Sequence, residues 1–296
     1  MKNVFPTHRV VAAASVAFLV VASFSVRAAT INWTNAASGG WNTAANWNPN
    51  TVPGASDTAI ITNAGVTVSL NGATTVGAII LGTNGVGTVT LSLAGQTLSL
   101  DGPLNVNPSG SFTVDSGALV GNTNAVLRGN LGWSAANFGG ILTLGSGSTL
   151  NITTGNLHDM PNCALTNNGT VVWNNGTIRG GGAIGTFIYN NGLWDGQSDQ
   201  LLSGAAFGSS SVFNNNGTFR KSVGVSEFDN ATVFNGTVFN QLAGVLDVQN
   251  GTNGLQVAFQ DGGSFTGGYI TTNVNGLTVL FAGNFNLNGT VTGTNT

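Results

Sequence analysis

The sequence predicts an all-β chain wound as an irregular parallel β-helix, or β-solenoid, of roughly a dozen coils. Three observations predict it: short apolar and polar alternations at period two, Gly/Asn/Asp punctuation between them, and a phrase that keeps returning. The phrase is Asn-Asn-Gly-Thr. It stands twice in "LTNNGTVVWNNGTIRGGG", from Leu165 to Gly182, and related forms recur at Gly192, Gly217, Gly236, Gly251 and Gly289. A sandwich with Asn-Gly hairpins would explain short strands, but not the return of one phrase. In stacked coils about 4.8 Å apart, a turn Asn lies over the equivalent Asn of the next coil, and the two amides join in a ladder. The Gly gives the corner backbone freedom and the Thr starts the next strand.

The amino-terminal stretch, Met1 to Ala28, follows a different plan. Lys2 and Arg9 precede an apolar run from Val10 to Ala22, and Val26-Arg27-Ala28 offers a small-residue cleavage pattern. This is a secretory signal, with cleavage expected between Ala28 and Ala29. The run is short for a membrane-spanning helix of about 20 residues. Cleavage removes three of the seven basic residues and none of the ten acids, so four basic groups remain and the mature net charge is −6. That balance disfavours a nucleic-acid partner, which needs a basic footprint.

Residues 29–62 concentrate Trp33, Trp41 and Trp47 before Val52-Pro53-Gly54. Two roles fit such a cluster. Large apolar rings cover the open edge of a first coil, or exposed rings form a glycan-stacking platform; an edge in need of cover favours the first.

Residues 63–296 carry the repeats. Thr88–Leu93, Thr97–Leu100, Leu104–Val106 and Ser111–Val114 each alternate at period two and read as strands with one buried face. Turn residues separate them, such as Asp101-Gly102-Pro103 and Asn107-Pro108-Ser109-Gly110. The steps from Gly169 to Gly192 and from Gly192 to Gly217 are similar, whereas those on to Gly236 and then Gly251 grow shorter. The repeat is irregular, and Gly176 marks a second corner of one coil. At about 22 residues per coil the mature chain forms a rod on the order of 55 Å long. Its last residues, to Thr296, are still repeat-like, which points to a released product or to the front part of a longer protein. No later run is apolar and long enough to span a membrane as a helix.

Two stretches resemble a known group. "INWTNAASGGWNTAANWNPNTVPGASDTAIIT", Ile31 to Thr62, places a Trp, a Gly-rich link, a second Trp pair with Ala-Asn before its last member, then Val-Pro-Gly and an acid just before an aliphatic strand. "FNNNGTFRKSVGVSEFDNATVFNGTVFNQLAGVLDVQNGT", Phe213 to Thr252, adds a repeat unit of similar style. Both are similar to secreted bacterial β-helix proteins related to autotransporter passengers and their associated β-strand repeats, over roughly a third of the mature chain. The resemblance implies a parallel β-helix shown at, or released from, the cell surface, often as a stalk or adhesin; it does not imply an enzyme or a cofactor. The carboxy-terminal barrel of autotransporters has no counterpart here.

The residues that carry chemistry are sparse. Charged residues make up 6% of the chain, against roughly 25% in an average domain. His158, in Asn-Leu-His-Asp-Met-Pro, reads as a surface loop residue. Cys163 reads as a buried free thiol, since a single cysteine forms no internal disulfide. The one His left after cleavage and one Cys predict no metal site of the usual kind. Acid pairs for glycoside cleavage are confined to Asp195 with Asp199 and Glu227 with Asp229, and solvated turn acids are the expectation for both. The sequence therefore assigns no catalytic, metal or cofactor residue. It predicts a secreted or cell-surface structural or adhesive solenoid with an extracellular glycan or protein as partner. The alternative is a carbohydrate-binding or polysaccharide-cleaving β-helix module.

Overall fold

The computed structural model describes residues 28–223, 231–249, 254–266, 268–271, 277–288 and 291–293. Among them the chain is a parallel β-solenoid with three faces per coil, and its helical content is a single 3-10 turn, Ala44–Asn46. Each coil contributes one strand to each face in turn. Thr58–Ile61, Thr67–Ser69 and Thr74–Val76 are one such set, on the first, second and third faces. The next set, Ala78–Leu81, Val89–Ser92 and Thr97–Leu100, lies over it in parallel register.

The second face is a twelve-stranded sheet running from Gly39–Gly40 to Val291–Gly293. The first and third faces are joined where one eight-residue strand, Asn137–Leu144, turns the corner between them. Its first half pairs with Ala118–Gly121 on the third face, and its second half pairs with Val126 and Leu127 on the first.

Burial follows the period of two. Ala59 and Ile61, Leu98 and Leu100, and Val171 and Trp173 point inward, and the residues between them point out. The interior changes character along the axis. From Ala59 to Leu127 it is nearly all Val, Leu and Ile; from Trp133 onward it holds Trp133, Trp173, Trp194, Phe213, Phe219, Phe234 and Phe239. From Asn130 onward the coils also lengthen. On the second face the register partners Asn130, Thr149, Thr170, Leu193, Thr218 and Val245 stand further apart in sequence at each successive step. Over these lengthening coils the interior is filled by Trp173 and Trp194 and then by Phe213, Phe219 and Phe234, as close packing requires.

The repeated phrase is an amide ladder, and the structure resolves it into two. In the copies that end on Gly169, Gly192 and Gly217 the first Asn is inside, whereas Asn174 of the copy at Gly176 is exposed: Asn167 donates to Asn190 Oδ1 (2.7 Å), Asn190 to Asn215 Oδ1 (2.6 Å), and Asn215 to Gln241 Oε1 (2.8 Å). All four are fully buried. The same Nδ2 groups also donate to the carbonyls of Leu193, Thr218 and Val245 in the next coil. The second Asn is outside, with Asn191 bonded to Asn168 (3.0 Å) and Asn216 to Asn191 (3.1 Å).

The glycine's role differs from the expected backbone freedom. Gly169, Gly192, Gly217 and Gly244 have ordinary negative φ. A Cβ on Gly192 would lie 2.1 Å from the Gly169 carbonyl oxygen, and one on Gly244 2.0 Å from that of Gly217. Close stacking of coils, rather than a left-handed turn, selects glycine here. Gly176 does mark a second corner, with φ +79°, and Gly236 a third kind, with φ +64°. The shorter step from Gly217 to Gly236 therefore joins unlike corners; the equivalent of Gly217 is Gly244, which stacks on it directly. The forms around Gly251 and Gly289 lie outside the described residues.

At the amino-terminal end, Thr30–Trp33 pairs in parallel with Thr58–Ile61, so the first face starts inside the 29–62 segment. Trp47–Asn48 folds back antiparallel on its other edge, with Trp33 opposite Trp47. Trp33, Trp41 and Trp47 are 2%, 0% and 0% exposed and meet edge to face at 5.1 and 4.9 Å. The Trp47 indole N–H donates to the Trp41 carbonyl (2.7 Å).

Candidate functional site

With the three rings packed on one another, the segment offers no exposed indole face, and glycan stacking on Trp33, Trp41 and Trp47 has no surface to use. The reason is physical: the period-two register turns Trp33 inward from the edge strand, and Trp41 and Trp47 close over it.

Polar chemistry is concentrated in two other places. The first is a hollow of about 670 Å³ on the second face. It forms where the coil is shortest. Gly129 alone separates Val126–Arg128 from Asn130–Trp133, whereas the coils on either side turn the same corner through Asn107-Pro108-Ser109 and through residues 145–148. A Cβ at Gly129 would meet the Val106 carbonyl oxygen at 1.9 Å, so only glycine lets the chain cut the corner. The ladder opens there as well. Between Gly110–Val114 and Asn130–Trp133 only Thr113 and Val114 keep their partners, Gly132 and Trp133. Asn107, Ser111, Thr113, Asn130, Thr149 and Asn151 line the hollow with amides and hydroxyls. Asn151 bridges two coils through Asn130 Oδ1 (2.5 Å) and the Leu131 carbonyl (3.1 Å). No ionisable side chain lines it, so it suits an uncharged, hydroxyl-rich ligand.

The second place is the group of charges between Asp195 and Asp247. Asp195, Arg220 and Asp247 are in register on three successive coils, and Arg220 Nε donates to Asp247 Oδ2 (3.0 Å). Asp195 accepts from Ser222 Oγ (2.6 Å) and Gln197 Nε2 (2.8 Å). Lys221 points inward and is fully buried; its Nζ donates to Asp199 Oδ1 (2.7 Å) and to the Ser198 carbonyl (2.6 Å). Burial pushes the Lys221 pKa down, and Asp199 opposes that shift.

These contacts correct the expected solvated acids. Asp195 is a strand residue, 8% exposed, and Asp199 is in an ion pair. Glu227 and Asp229 lie outside the described residues. His158 is corrected too. It sits in the strand Leu157–Asp159, fully buried, with its ring edge-on to Trp133 at 5.2 Å, and burial lowers its pKa. Its neighbour Asp159 does face outward, where Arg179 Nε and a terminal nitrogen clasp both carboxylate oxygens at 2.7 Å. Cys163 is buried as expected, and its pKa is pushed up to about 12 by burial.

Among the described residues no group of three or more His, Cys, Asp or Glu side chains is placed to hold a metal ion, and no helix is long and apolar enough to cross a membrane. No protein-family model matches the chain, and neither curated proteins nor solved structures give a match.

Proposed function

We propose that this chain is an exported structural or adhesive β-solenoid, secreted or displayed at the cell surface, that works by repeated contacts along its length rather than by catalysis. The observation that carries this reading is the outward row on the first face. Thr143, Thr166, Tyr189, Asn214, Asn240 and Ser264 follow one another in register on six successive coils. Coil stacking spaces them about 4.8 Å apart. Asn240 donates to Asn214 Oδ1 (3.0 Å) and Ser264 Oγ to Asn240 Oδ1 (3.1 Å), which holds part of the row in place. Weak contacts repeated on a rigid scaffold add as avidity without a deep site. The amino-terminal signal pattern and the resemblance to surface-displayed β-helix proteins support the location.

The test is fractionation of producing cells, followed by adhesion of the purified mature chain to extracellular glycans and matrix proteins. The expected result is a product in the envelope or medium whose retention falls at least about tenfold when Tyr189 and Asn214 are both replaced by Arg, the loss of several linked weak contacts. Confinement to the cytosol, or retention unchanged by the double substitution, overturns the reading. The hollow beside Gly129 favours a second one, a module that binds a neutral extracellular glycan. Its mark would be saccharide binding that Asn130→Trp abolishes while the first-face substitutions leave it intact.

A further inference from the structure

Asp57 is the acid that stands just before the aliphatic strand in the Val-Pro-Gly segment, and its two oxygens are divided between two places. Oδ2 accepts the N–H of Gly54 (2.9 Å), which closes the turn from Gly54 to Asp57. Oδ1 accepts the N–H of Ala29 (2.9 Å), far earlier in the chain. The next backbone group returns the contact, since Thr58 N–H donates to the Ala29 carbonyl (2.8 Å). From there Thr30 and Thr58 begin the parallel pairing of the first two strands of the first face. Ala29 is also the residue that the sequence places immediately after the export cleavage.

We propose that Asp57 is the binding site for the mature amino terminus. The inference rests on the export reading above and deepens it. Hydrolysis of the Ala28–Ala29 amide by a signal-processing protease adds one water: the carbonyl carbon of Ala28 gains the oxygen and leaves as a carboxylate. The nitrogen of Ala29 becomes an ammonium. Before the cut, Asp57 faces a neutral amide with one proton; after it, a full positive charge with three protons stands at the same atom. Charge-assisted contacts of this kind are shorter and stronger than neutral ones. Processing would thus fasten the first strand to the second at their shared start, and only in molecules that have been exported.

The geometry explains why the acid sits where it does. A carboxylate that only closed the Gly54 turn would need no reach toward the first strand. A carboxylate that only held the terminus would not be tied to the glycine of Val-Pro-Gly.

The test has two separable parts. Mass spectrometry of the amino-terminal peptide of the exported protein should find Ala29 first; another start overturns the export cleavage itself. For a chain beginning at Ala29, whether exported or cut to that residue in vitro, the pKa of the α-amino group is then measured by the pH dependence of its labelling. Lys221 is the only other amine in such a chain, so the signal is easily assigned. The expected value lies about half a unit or more above the ordinary 7.7–8.0, and it returns to the ordinary range in Asp57→Asn. A chain carrying one extra glycine before Ala29 serves if Asp57→Asn folds poorly; its terminus should show the ordinary value. An α-amino group at the ordinary value in the unsubstituted chain, or one unmoved by both changes, overturns the docking whatever the first part finds.

Discussion

Asn190 and Asn191 are neighbours in sequence and opposites in environment. Asn190 is fully buried and bonded above and below, whereas Asn191 belongs to the solvent-facing ladder. Replacing Asn190 by Ala strips Asn167 of an acceptor and Asn215 of a donor inside the core, and a buried polar group left without its partner costs about 1–3 kcal/mol. Asn191→Ala leaves its neighbours to water and should cost about 0.5 kcal/mol or less. Urea unfolding of the two variants should separate them clearly; equal costs would mean that the inner ladder carries no special weight. His158 gives a second prediction at this scale. Burial depresses its folded pKa below the ordinary 6.5, so the unfolded chain binds the proton more readily. Stability from this residue is therefore complete above about pH 6.5 and is lost as pH falls toward the folded value. His158→Phe keeps a ring against Trp133 and should flatten the dependence of stability as pH falls below that point. A slope unchanged by the substitution would assign that dependence to other groups.

Corners are the elements on which this fold depends, and glycine serves them in two unlike ways. At Gly192 an added methyl meets a backbone oxygen 2.1 Å away that cannot step aside, so Gly192→Ala must push two coils apart. Overpacking of this kind costs about 1–3 kcal/mol or more. At Gly95, φ is +80° and open space surrounds the missing Cβ; Gly95→Ala should cost only the roughly 1–2 kcal/mol of a left-handed residue. Thermal melts should show the larger loss at Gly192 although its φ is ordinary. The corner phrase is legible because Asn-Asn-Gly-Thr is conspicuous as text. Gln241-Leu242-Ala243-Gly244 is not, although Gln241 takes the asparagine's place in the ladder and Gly244 the glycine's place in the stack. The chemistry survives there while the spelling changes. His158 misleads for a related cause: Asn-Leu-His-Asp-Met-Pro has turn-like composition, and only register with neighbouring coils makes its middle a strand facing Trp133. Asp195 is hidden by distance, since the Ser222 hydroxyl that holds it belongs to the next coil. The hollow is a difference between corner lengths in adjacent coils, which no single stretch of sequence displays.

A solenoid is close to one-dimensional: each coil touches only its neighbours, and stability is a sum of coil and interface terms. Here the terms are unequal along the axis, because aliphatic coils near Ala59 give way to aromatic coils such as that of Phe213, Phe219 and Phe234. The open end is what such an architecture must control. A terminal coil presents unpaired N–H and C=O groups along its strands, and these invite pairing with another chain. Trp47–Asn48 lies antiparallel on the outer edge of Thr30–Trp33, and the three indoles fill the space beneath. Trp47→Ala removes the ring that contacts both other tryptophans, and truncation of a buried aromatic costs about 3–5 kcal/mol. Because coils couple only locally, that cost should fall on the first coil while coils beyond Leu81 stay folded. Hydrogen exchange should then show lost protection in Thr30–Trp33 and Thr58–Ile61 with unchanged protection in Thr170–Trp173. The freed edge should also pair between molecules, so the variant's sedimentation should become concentration-dependent beyond that of the parent. Uniform loss of protection from end to end would show instead that the molecule unfolds as one cooperative unit, and that the amino-terminal coil governs the whole rod.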